Sequence, residues 1–232
     1  MSALSITWFG HATFLVTTPG GKRIVFDPWL TGNPKAPSGT KIDKADVICV
    51  THGHSDHTAD VVSIARATGA PVVAIYELGN WFSGKGVKDV VGMGIGGTTI
   101  VKGLRISMTA AVHSSSVDDN GKAVYVGLAT GFVVRMEDDR ALYFAGDTAL
   151  FGDMRMIREL HAPEIAFLPI GDHFTMDPVA AAKACELLGV RQVVPMHYGT
   201  FPMLTGTPDQ LKKLVDPMGI DVLVLKPGET AQ

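Results

Sequence analysis

The stretch Ile48-Cys49-Val50-Thr51-His52-Gly53-His54-Ser55-Asp56-His57 joins an apolar run to a cluster of polar residues. The β-branched residues at its start are typical of a buried strand, and the three imidazoles and one carboxylate that follow cannot all be satisfied in an apolar core. A tight turn at this point lets His52 and His54 face one point in space. Asp56 and His57, at the start of a following helix, then face a second point close to the first. The stretch therefore predicts a buried strand that ends in a polar binding turn.

The polar residues of this turn are suited to divalent metal ions. Imidazole nitrogens and carboxylate oxygens are the atoms with which proteins hold zinc and similar ions, and two such ions about 3.5 to 4 Å apart can share one water or hydroxide. Three more candidates each end a strand-like run: His113 follows residues 106–112, Asp147 follows 141–146, and His197 follows 193–196. If the strands lie in neighbouring sheets, all of these ends can converge at one edge.

Short β-branched and aromatic runs alternate with helical patterns along the chain. Strands are predicted at 6–9, 13–17, 23–27, 47–51, 72–75, 124–136, 141–145, 165–170, 192–196 and 222–225. Helices are predicted at 56–68, 151–160, 178–188 and 208–215, with Asp177 capping the third ahead of Pro178. Early hairpins followed by alternating units favour a mixed α/β (α+β) fold, with two packed sheets and helices outside. Because no low-complexity linker divides the chain, we expect one domain over residues 1–232.

The ligand pattern resembles that of the metallo-β-lactamase superfamily over essentially the whole chain. It consists of the motif His52-Gly53-His54-Ser55-Asp56-His57 followed in order by His113, Asp147 and His197. Four stretches are similar to the UPF0173 metal-dependent hydrolases, relatives of the L-ascorbate-6-phosphate lactonases: Trp8-Phe9-Gly10-His11-Ala12, Phe26-Asp27-Pro28-Trp29-Leu30, Ala145-Gly146-Asp147-Thr148 and Met196-His197-Tyr198-Gly199-Thr200-Phe201-Pro202. This resemblance implies a four-layer αβ/βα sandwich.

The same resemblance implies how the ligands are shared between two metal ions. One ion takes His52, His54 and His113, the other takes Asp56, His57 and His197, and Asp147 bridges them. In this superfamily the di-iron oxidoreductases typically replace the second histidine with glutamate, and true β-lactamases commonly carry a cysteine ligand. Neither replacement is present here. Histidine-rich coordination favours zinc, while manganese, nickel and iron suit the same geometry.

The expected chemistry follows from charge. Two dications, two anionic aspartates and one bridging hydroxide leave a net positive centre that binds an anionic or carbonyl group and stabilises negative charge in the transition state. Asp56 is also placed to orient the nucleophile and to shuttle a proton. The function expected is therefore hydrolysis of a small ester-like bond, a lactone or a phosphodiester, in a small and anionic substrate.

Other polar residues are candidates for roles in the pocket, each with a structural alternative. His11 faces the substrate or orients a ligand, or else makes a structural hydrogen bond. His173 follows another strand end and either lines the site or has no part in it. Tyr198 donates a hydrogen bond to an oxyanion or packs over the metals, and Asp27 orients a ligand or serves as a turn residue. His161 is expected to end a helix whose dipole favours its charged form.

Three other functions share parts of the pattern. An RNase Z-like, tRNA-processing nuclease has the same metal motif, but it needs a basic surface or a substrate-gripping arm, and 232 residues leave little chain for one. A mononuclear-iron thiol oxygenase of the same fold does not need all seven ligands. A metal-binding or assembly protein with a catalytically silent site would bind metal without turnover.

Composition limits the partners and the compartment. A formal net charge of -3 gives no cationic bias, so nucleic acid is not an expected partner. Cys49 and Cys185 lie in apolar surroundings, as buried free thiols in a reducing compartment do. Residues 1–7 show no basic leader, and no apolar run approaches the roughly 18 residues of a membrane span, which favours a soluble cytoplasmic protein. Resemblance to relatives that assemble favours a homo-oligomer. Trp81 and Phe82 are either exposed aromatics that suit such a contact or ordinary core residues.

Overall fold

The structure, a computed structural model, describes residues 3–232. Met1 and Ser2, the start of the N-terminal segment discussed above, lie outside the described residues. In chain order the strands are β1 (Ser5–Trp8), β2 (Phe14–Thr17), β3 (Arg23–Phe26), β4 (Val47–Cys49), β5 (Val72–Ile75), β6 (Val90–Met93), β7 (Thr98–Val101), β8 (Leu104–Ala110), β9 (Ser116–Asp119), β10 (Lys122–Tyr125), β11 (Thr130–Arg135), β12 (Ala141–Phe144), β13 (Ile165–Pro169), β14 (Gln192–Met196), β15 (Asp221–Val222) and β16 (Thr230–Ala231). The helices are α1 (Ser55–Thr58), α2 (Val61–Thr68), α3 (Tyr76–Gly84), α4 (Met154–His161), α5 (Pro178–Leu188) and α6 (Pro208–Val215), with a short 3-10 helix at Asp216–Met218.

Most of the strands form two sheets. The first has the order β16-β1-β2-β3-β4-β5-β6 and is antiparallel from β16 to β3 and parallel from β3 to β6. The second has the order β15-β14-β13-β12-β11-β8-β7 and is parallel from β15 to β12 and antiparallel from β12 to β7. Strands β9 and β10 form a separate hairpin. β4, β5, β12 and β13 are buried along their whole length, as parallel strands covered on both faces are.

Aromatic residues from both sheets meet between them. Phe26 of β3 stacks on Phe144 of β12 with ring centroids 4.3 Å apart, and Phe14 of β2 contacts Phe167 of β13 at 5.0 Å. This central cluster also contains Ile64 of α2, so a helix covers the outer face of the first sheet. A second cluster joins the second sheet to α4, α5 and α6. The order helix, sheet, sheet, helix confirms the expected four-layer mixed α/β sandwich, while one domain over the whole chain stays a prediction.

Several predicted elements are confirmed, and three are wrong in their extent. Of the predicted strand 222–225, Val222 ends β15 and residues 223–225 lie outside any strand. Asp177 caps α5 by accepting a hydrogen bond of 2.7 Å from the backbone N–H of Ala180. The predicted helix 56–68 is broken between α1 and α2, where the buried Asp60 accepts hydrogen bonds from Leu30 and Thr31 and so ties a neighbouring loop to the break. The predicted strand 124–136 is two strands, because Gly127 turns the chain between β10 and β11 with a φ of 90°.

The interpretation of Trp81 and Phe82 as exposed aromatics is wrong. Phe82 is fully buried in the central cluster, and Trp81 is half-buried, because the two residues lie on the unpredicted helix α3 that packs on the first sheet. Trp81 and Phe82 therefore give no support to a contact between subunits. Cys49 and Cys185 are free and buried, as expected. Among residues 3–232, no helix has both the length and the apolar character that crossing a membrane requires.

Candidate metal centre

The polar turn after β4 packs closely against the β9–β10 hairpin and the residues that flank it. The backbone N–H of Gly53 donates a hydrogen bond of 3.1 Å to Ser115 Oγ. A Cβ atom at Gly53 would lie 2.5 Å from Val126 Cγ2, so a larger residue does not fit. This close approach lets the side chains of His52 and His54 turn in the same direction, as the sequence predicts.

A first group of histidines comes from this turn and from the end of β8. His52 Nε2 lies 3.0 Å from His54 Nδ1, and His113 Nε2 lies 3.3 Å from the same atom. Ring nitrogens of all three lie within 4.8 Å of one another and can hold one metal ion. His52 is fully buried, whereas the other two are partly exposed, so this group opens to solvent on one side.

A second group lies beside the first and combines Asp56, His57 and His197. Asp56 Oδ2 is 4.0 Å from the Nε2 atoms of both His57 and His197. His11 joins this group, since its Nε2 is 3.0 Å from Asp56 Oδ2. His52 and His57 also form a third cluster with Asp27, which adjoins both groups. The division of the ligands between two ions therefore stays a prediction.

Asp147 lies between the two groups. Its Oδ2 is 3.0 Å from His197 Nε2 and 3.3 Å from His57 Nε2 in the second group, and 3.7 Å from His113 Nε2 and 4.0 Å from His52 Nε2 in the first. Burial by itself would raise the pKa of this carboxyl. The positive charge of His197 and His57 outweighs burial and holds the pKa well below its usual range. Asp147 is thus a buried carboxylate surrounded by imidazoles from both groups.

Asp27 sets the orientation of one histidine in each group. Its Oδ2 accepts hydrogen bonds of 2.7 Å from His57 Nδ1 and 2.6 Å from the Thr51 hydroxyl. Because that hydroxyl has given its hydrogen to Asp27, it accepts from His52 Nδ1 at 3.0 Å. Both rings are therefore fixed with the Nε2 atom facing the centre. Asp27 also occupies a turn with a φ of 42°, so both interpretations of this residue describe its position.

The donor atoms of the centre fit divalent cations. Among the described residues, the buried side-chain atoms without a hydrogen-bond partner include His57 Nε2 and Asp147 Oδ1. Such atoms are costly to bury unless another group binds them. Nitrogen and carboxylate oxygen are the donors that zinc and its neighbours prefer. The unpaired atoms thus lie where a cation would satisfy them.

His11 is buried and holds Asp56 in place. Its Nδ1 lies 2.9 Å from the Thr200 hydroxyl and its Nε2 donates to Asp56 Oδ2. Burial, helped by the nearby charge of His197, lowers the pKa of His11 to about 4, so the ring is neutral near pH 7. The sequence left open whether His11 contacts the pocket, and the structure places it against an Asp56 oxygen.

The remaining candidates contact the centre less closely. The Tyr198 ring stacks on Trp8 at 5.1 Å, burial raises the pKa of its hydroxyl to about 12, and that hydroxyl makes no hydrogen bond within residues 3–232. His173 is exposed and its ring contacts Phe174 at 4.4 Å, and it belongs to neither ligand group. These positions favour packing for Tyr198 and leave His173 outside both ligand groups.

His161 ends α4, as expected, but the expectation about its charge was wrong. Burial is the main reason that its pKa is lowered, and the positive charges of Arg135 and Arg105 add to the effect. All three effects disfavour the charged imidazolium.

Two hydroxyl residues at the centre were missed in the sequence, Thr51 and Thr200. Thr51 orients His52, and Thr200 holds His11. Each lies within three residues of a candidate ligand, at a strand end, which is the one signal that would have pointed to them.

The chain was compared with known proteins. Residues 22–198 match the family described as the beta-lactamase superfamily domain. A UPF0173 metal-dependent hydrolase of Solibacter usitatus is 48% identical over 229 residues, covering 99% of this chain and 100% of that protein. One of Koribacter versatilis is 50% identical over 231 residues, covering 99% and 98%. The solved structure of Igni18, a metallo hydrolase from Ignicoccus hospitalis, superposes with a TM-score of 0.88 at 39% identity, covering 98% of this chain and 97% of that one.

Proposed function

The chain belongs to the beta-lactamase superfamily and, within it, to the UPF0173 metal-dependent hydrolases, and from that premise we propose that it uses two divalent metal ions to hydrolyse a small ester-like bond. The bond we propose is that of a lactone or a phosphodiester. The proposal that two ions are bound rests on one observation. A single oxygen, Asp147 Oδ2, lies within 4.0 Å of imidazole nitrogens from both ligand groups.

In this proposal each ligand group holds one ion. His52, His54 and His113 hold the first, Asp56, His57 and His197 hold the second, and Asp147 contacts both. Zinc is the ion that we propose, with manganese, nickel or iron as substitutes that the same donors accept. When bound, such ions lower the pKa of water and polarise a carbonyl or phosphoryl oxygen.

Asp56 is the residue that we propose to accept a proton during the reaction. Burial alone would raise its pKa, but the charge of His57 and the hydrogen bond from His11 hold the pKa far below its usual range. The side chain is therefore ionised, and it is 27% exposed, so water and substrate can reach it. Its Oδ2 is bonded to His11, while its Oδ1 makes no hydrogen bond in the described part of the chain and is open to a hydrogen bond from the attacking water. A carboxylate with so low a pKa is a weak base, so in this proposal Asp56 orients that water and passes its proton on rather than keeping it.

The test combines metal content with turnover. We expect about two ions per chain in the purified, metal-loaded protein, and cleavage of a generic lactone or phosphodiester reporter that a chelator abolishes and added metal restores. Asp147→Asn should stay folded but lose most turnover, by about 100-fold or more, because the oxygen shared by the two groups loses its charge.

Three results would contradict the proposal. Unchanged turnover in metal-replete Asp147→Asn would show that hydrolysis does not need the Asp147 carboxylate. One ion per chain would exclude the dinuclear centre. Metal binding with no turnover on either reporter would favour a protein with a silent site.

A further inference from the structure

Exposed apolar side chains lie in the loops that carry residues of the candidate metal centre. They come from the loops that follow β8, β12, β13 and β14, which are the same strand ends that supply ligands and His173. Val112 is 53% exposed, Leu150 36%, Phe174 52% and Met203 44%. Single exposed apolar residues are ordinary, but a group of them beside a polar centre is typical of a binding site. We call these four residues the apolar rim.

Backbone hydrogen bonds join the loops of the apolar rim into one surface. Ala149 N–H donates to the Val112 carbonyl at 3.0 Å, and Val112 N–H donates to the Thr148 hydroxyl at 3.0 Å. Met176 N–H donates to the Thr148 carbonyl at 3.2 Å, which adds the loop of Phe174. Gly206 N–H donates to the Gly171 carbonyl at 3.3 Å and links the loop of Met203. The rim is therefore held together by the same loops that carry His113, Asp147 and His197.

The charge of these loops argues against an anionic group on this side of the centre. Residues 111–115, 146–153, 171–177 and 197–206 contain no lysine or arginine. They do contain aspartates besides Asp147, at 153, 172 and 177. Lys35 is the basic residue that contacts the segment of His11, where it packs against Gly10. Lys213 of α6 borders two of these loops, at a cavity that Asp172 and Asp177 also line. A charged phosphate or carboxylate on the rim would therefore find no lysine or arginine in the four loops and would lie near aspartates.

We infer that the substrate carries an uncharged apolar group, an acyl chain or an aromatic ring, which packs on the apolar rim while the scissile bond lies at the metal centre. The inference rests on the proposed function and takes a carboxylic ester or lactone as the bond, because the acyl side of such a substrate can place an uncharged chain or ring on the rim. In this reaction the acyl carbon–oxygen bond breaks, the hydroxyl of one water joins the acyl carbon, and the remaining proton goes to the leaving oxygen. The products are a carboxylic acid and an alcohol.

A chain-length series tests the inference on the metal-loaded protein. The substrates are the 4-nitrophenyl esters of acetic, butyric and hexanoic acid, with bis(4-nitrophenyl) phosphate for comparison. We expect kcat/KM to rise by about twofold for each methylene, since a half-covered methylene contributes about half of the free energy of a buried one. The ratio of hexanoate to acetate activity should fall about fivefold in Phe174→Ser and in Leu150→Ser.

Ile100→Ser is the matched control. Ile100 is an apolar residue with 74% exposure, and it pairs with Arg105 at the end of β8 that is remote from His113. Its substitution should leave the hexanoate-to-acetate ratio unchanged. Circular dichroism and metal content would show that all three variants are folded and loaded.

Each other outcome has a defined meaning. Equal kcat/KM for the hexanoate and acetate esters in the native protein would overturn the inference without contradicting the proposed hydrolysis. Faster cleavage of bis(4-nitrophenyl) phosphate than of the esters would do the same. If nothing is cleaved, the proposed function fails for these bonds, and binding of the neutral dye Nile red then tests the rim alone. Binding that Phe174→Ser weakens and Ile100→Ser does not would support an apolar subsite, and equal binding in all variants would overturn it. A dimer that dissociates in Phe174→Ser, with an unchanged ratio, would make the rim a contact between copies and also overturn it.

Discussion

The two walls of the candidate metal centre are built differently. On the inner wall, His52 and His57 are fully buried, and Asp27 fixes both rings, one directly and one through Thr51. On the outer wall, His113 retains 14% side-chain exposure, and His54 has only the exposed Ser114 hydroxyl near its Nε2, at 3.5 Å. The inner ligands are thus held by the fold, whereas the outer ones depend on a bound ion for a fixed position.

The difference between the two walls predicts that stability and metal binding depend on different residues. Substitutions measured in the metal-free protein test this prediction. Inner-wall substitutions should lower the free energy of unfolding even without metal, since they leave buried polar groups unpaired. Outer-wall substitutions should remove metal while leaving the metal-free fold as stable as before.

The largest effect is expected from Asp27→Ala. The change leaves His57 Nδ1, the Thr51 N–H and the Thr51 hydroxyl without their acceptor in a fully buried site. We expect the free energy of unfolding of the metal-free protein to fall by about 3 kcal/mol, as measured by urea denaturation.

Two further variants make the test of Asp27 sharper. Asp27→Asn keeps an acceptor oxygen and should fold if the alanine variant does not. Asp119→Ala is the control, because that carboxylate is 41% exposed and pairs with Lys85 at the surface, where an ion pair contributes little. A loss in Asp27→Ala no greater than in the control would contradict the picture of a fold-held inner wall.

Thr51→Val should have an intermediate effect. Valine keeps the shape but removes the hydroxyl that joins His52 to Asp27. We expect a loss of about 1.5 kcal/mol in the metal-free free energy of unfolding. The ion at His52 should also bind about 10- to 100-fold more weakly, which competition with a chelator would measure. Equal weakening of both ions would show that Thr51 does not act on His52 alone.

The smallest effect on stability is expected from His54→Ala. His54 is partly exposed, so the metal-free free energy of unfolding should change by no more than about 0.5 kcal/mol. Metal content should nevertheless drop by one ion per chain, as measured by elemental analysis. A loss of stability comparable to that of Asp27→Ala would abolish the distinction between the two walls.

Local sequence was sufficient for much of the site. The turn residues His52 to His57 are contiguous, so their clustering needs only a strand followed by a tight turn. Asp147 and His197 each follow an apolar strand of the parallel part of the second sheet, and parallel strands place their carboxyl ends at one edge. His113 follows β8, which is antiparallel to β11 and therefore runs in the same direction as β12. The break at Asp60 and the burial of Phe82 were not foreseen, because each depends on a partner distant in the chain.

The sequence by itself determined the alternation of strands and helices, the identity of the ligand atoms and the polar turn, since these follow from neighbouring residues and from the chemistry of imidazole and carboxylate. Only the tertiary structure decided which ring nitrogen faces the centre, that His11 contacts Asp56, and that exposed apolar residues from four loops form one rim. Those features depend on contacts between residues such as Thr51 and Asp27, or His11 and Thr200, which the folded chain brings together across 24 and 189 positions.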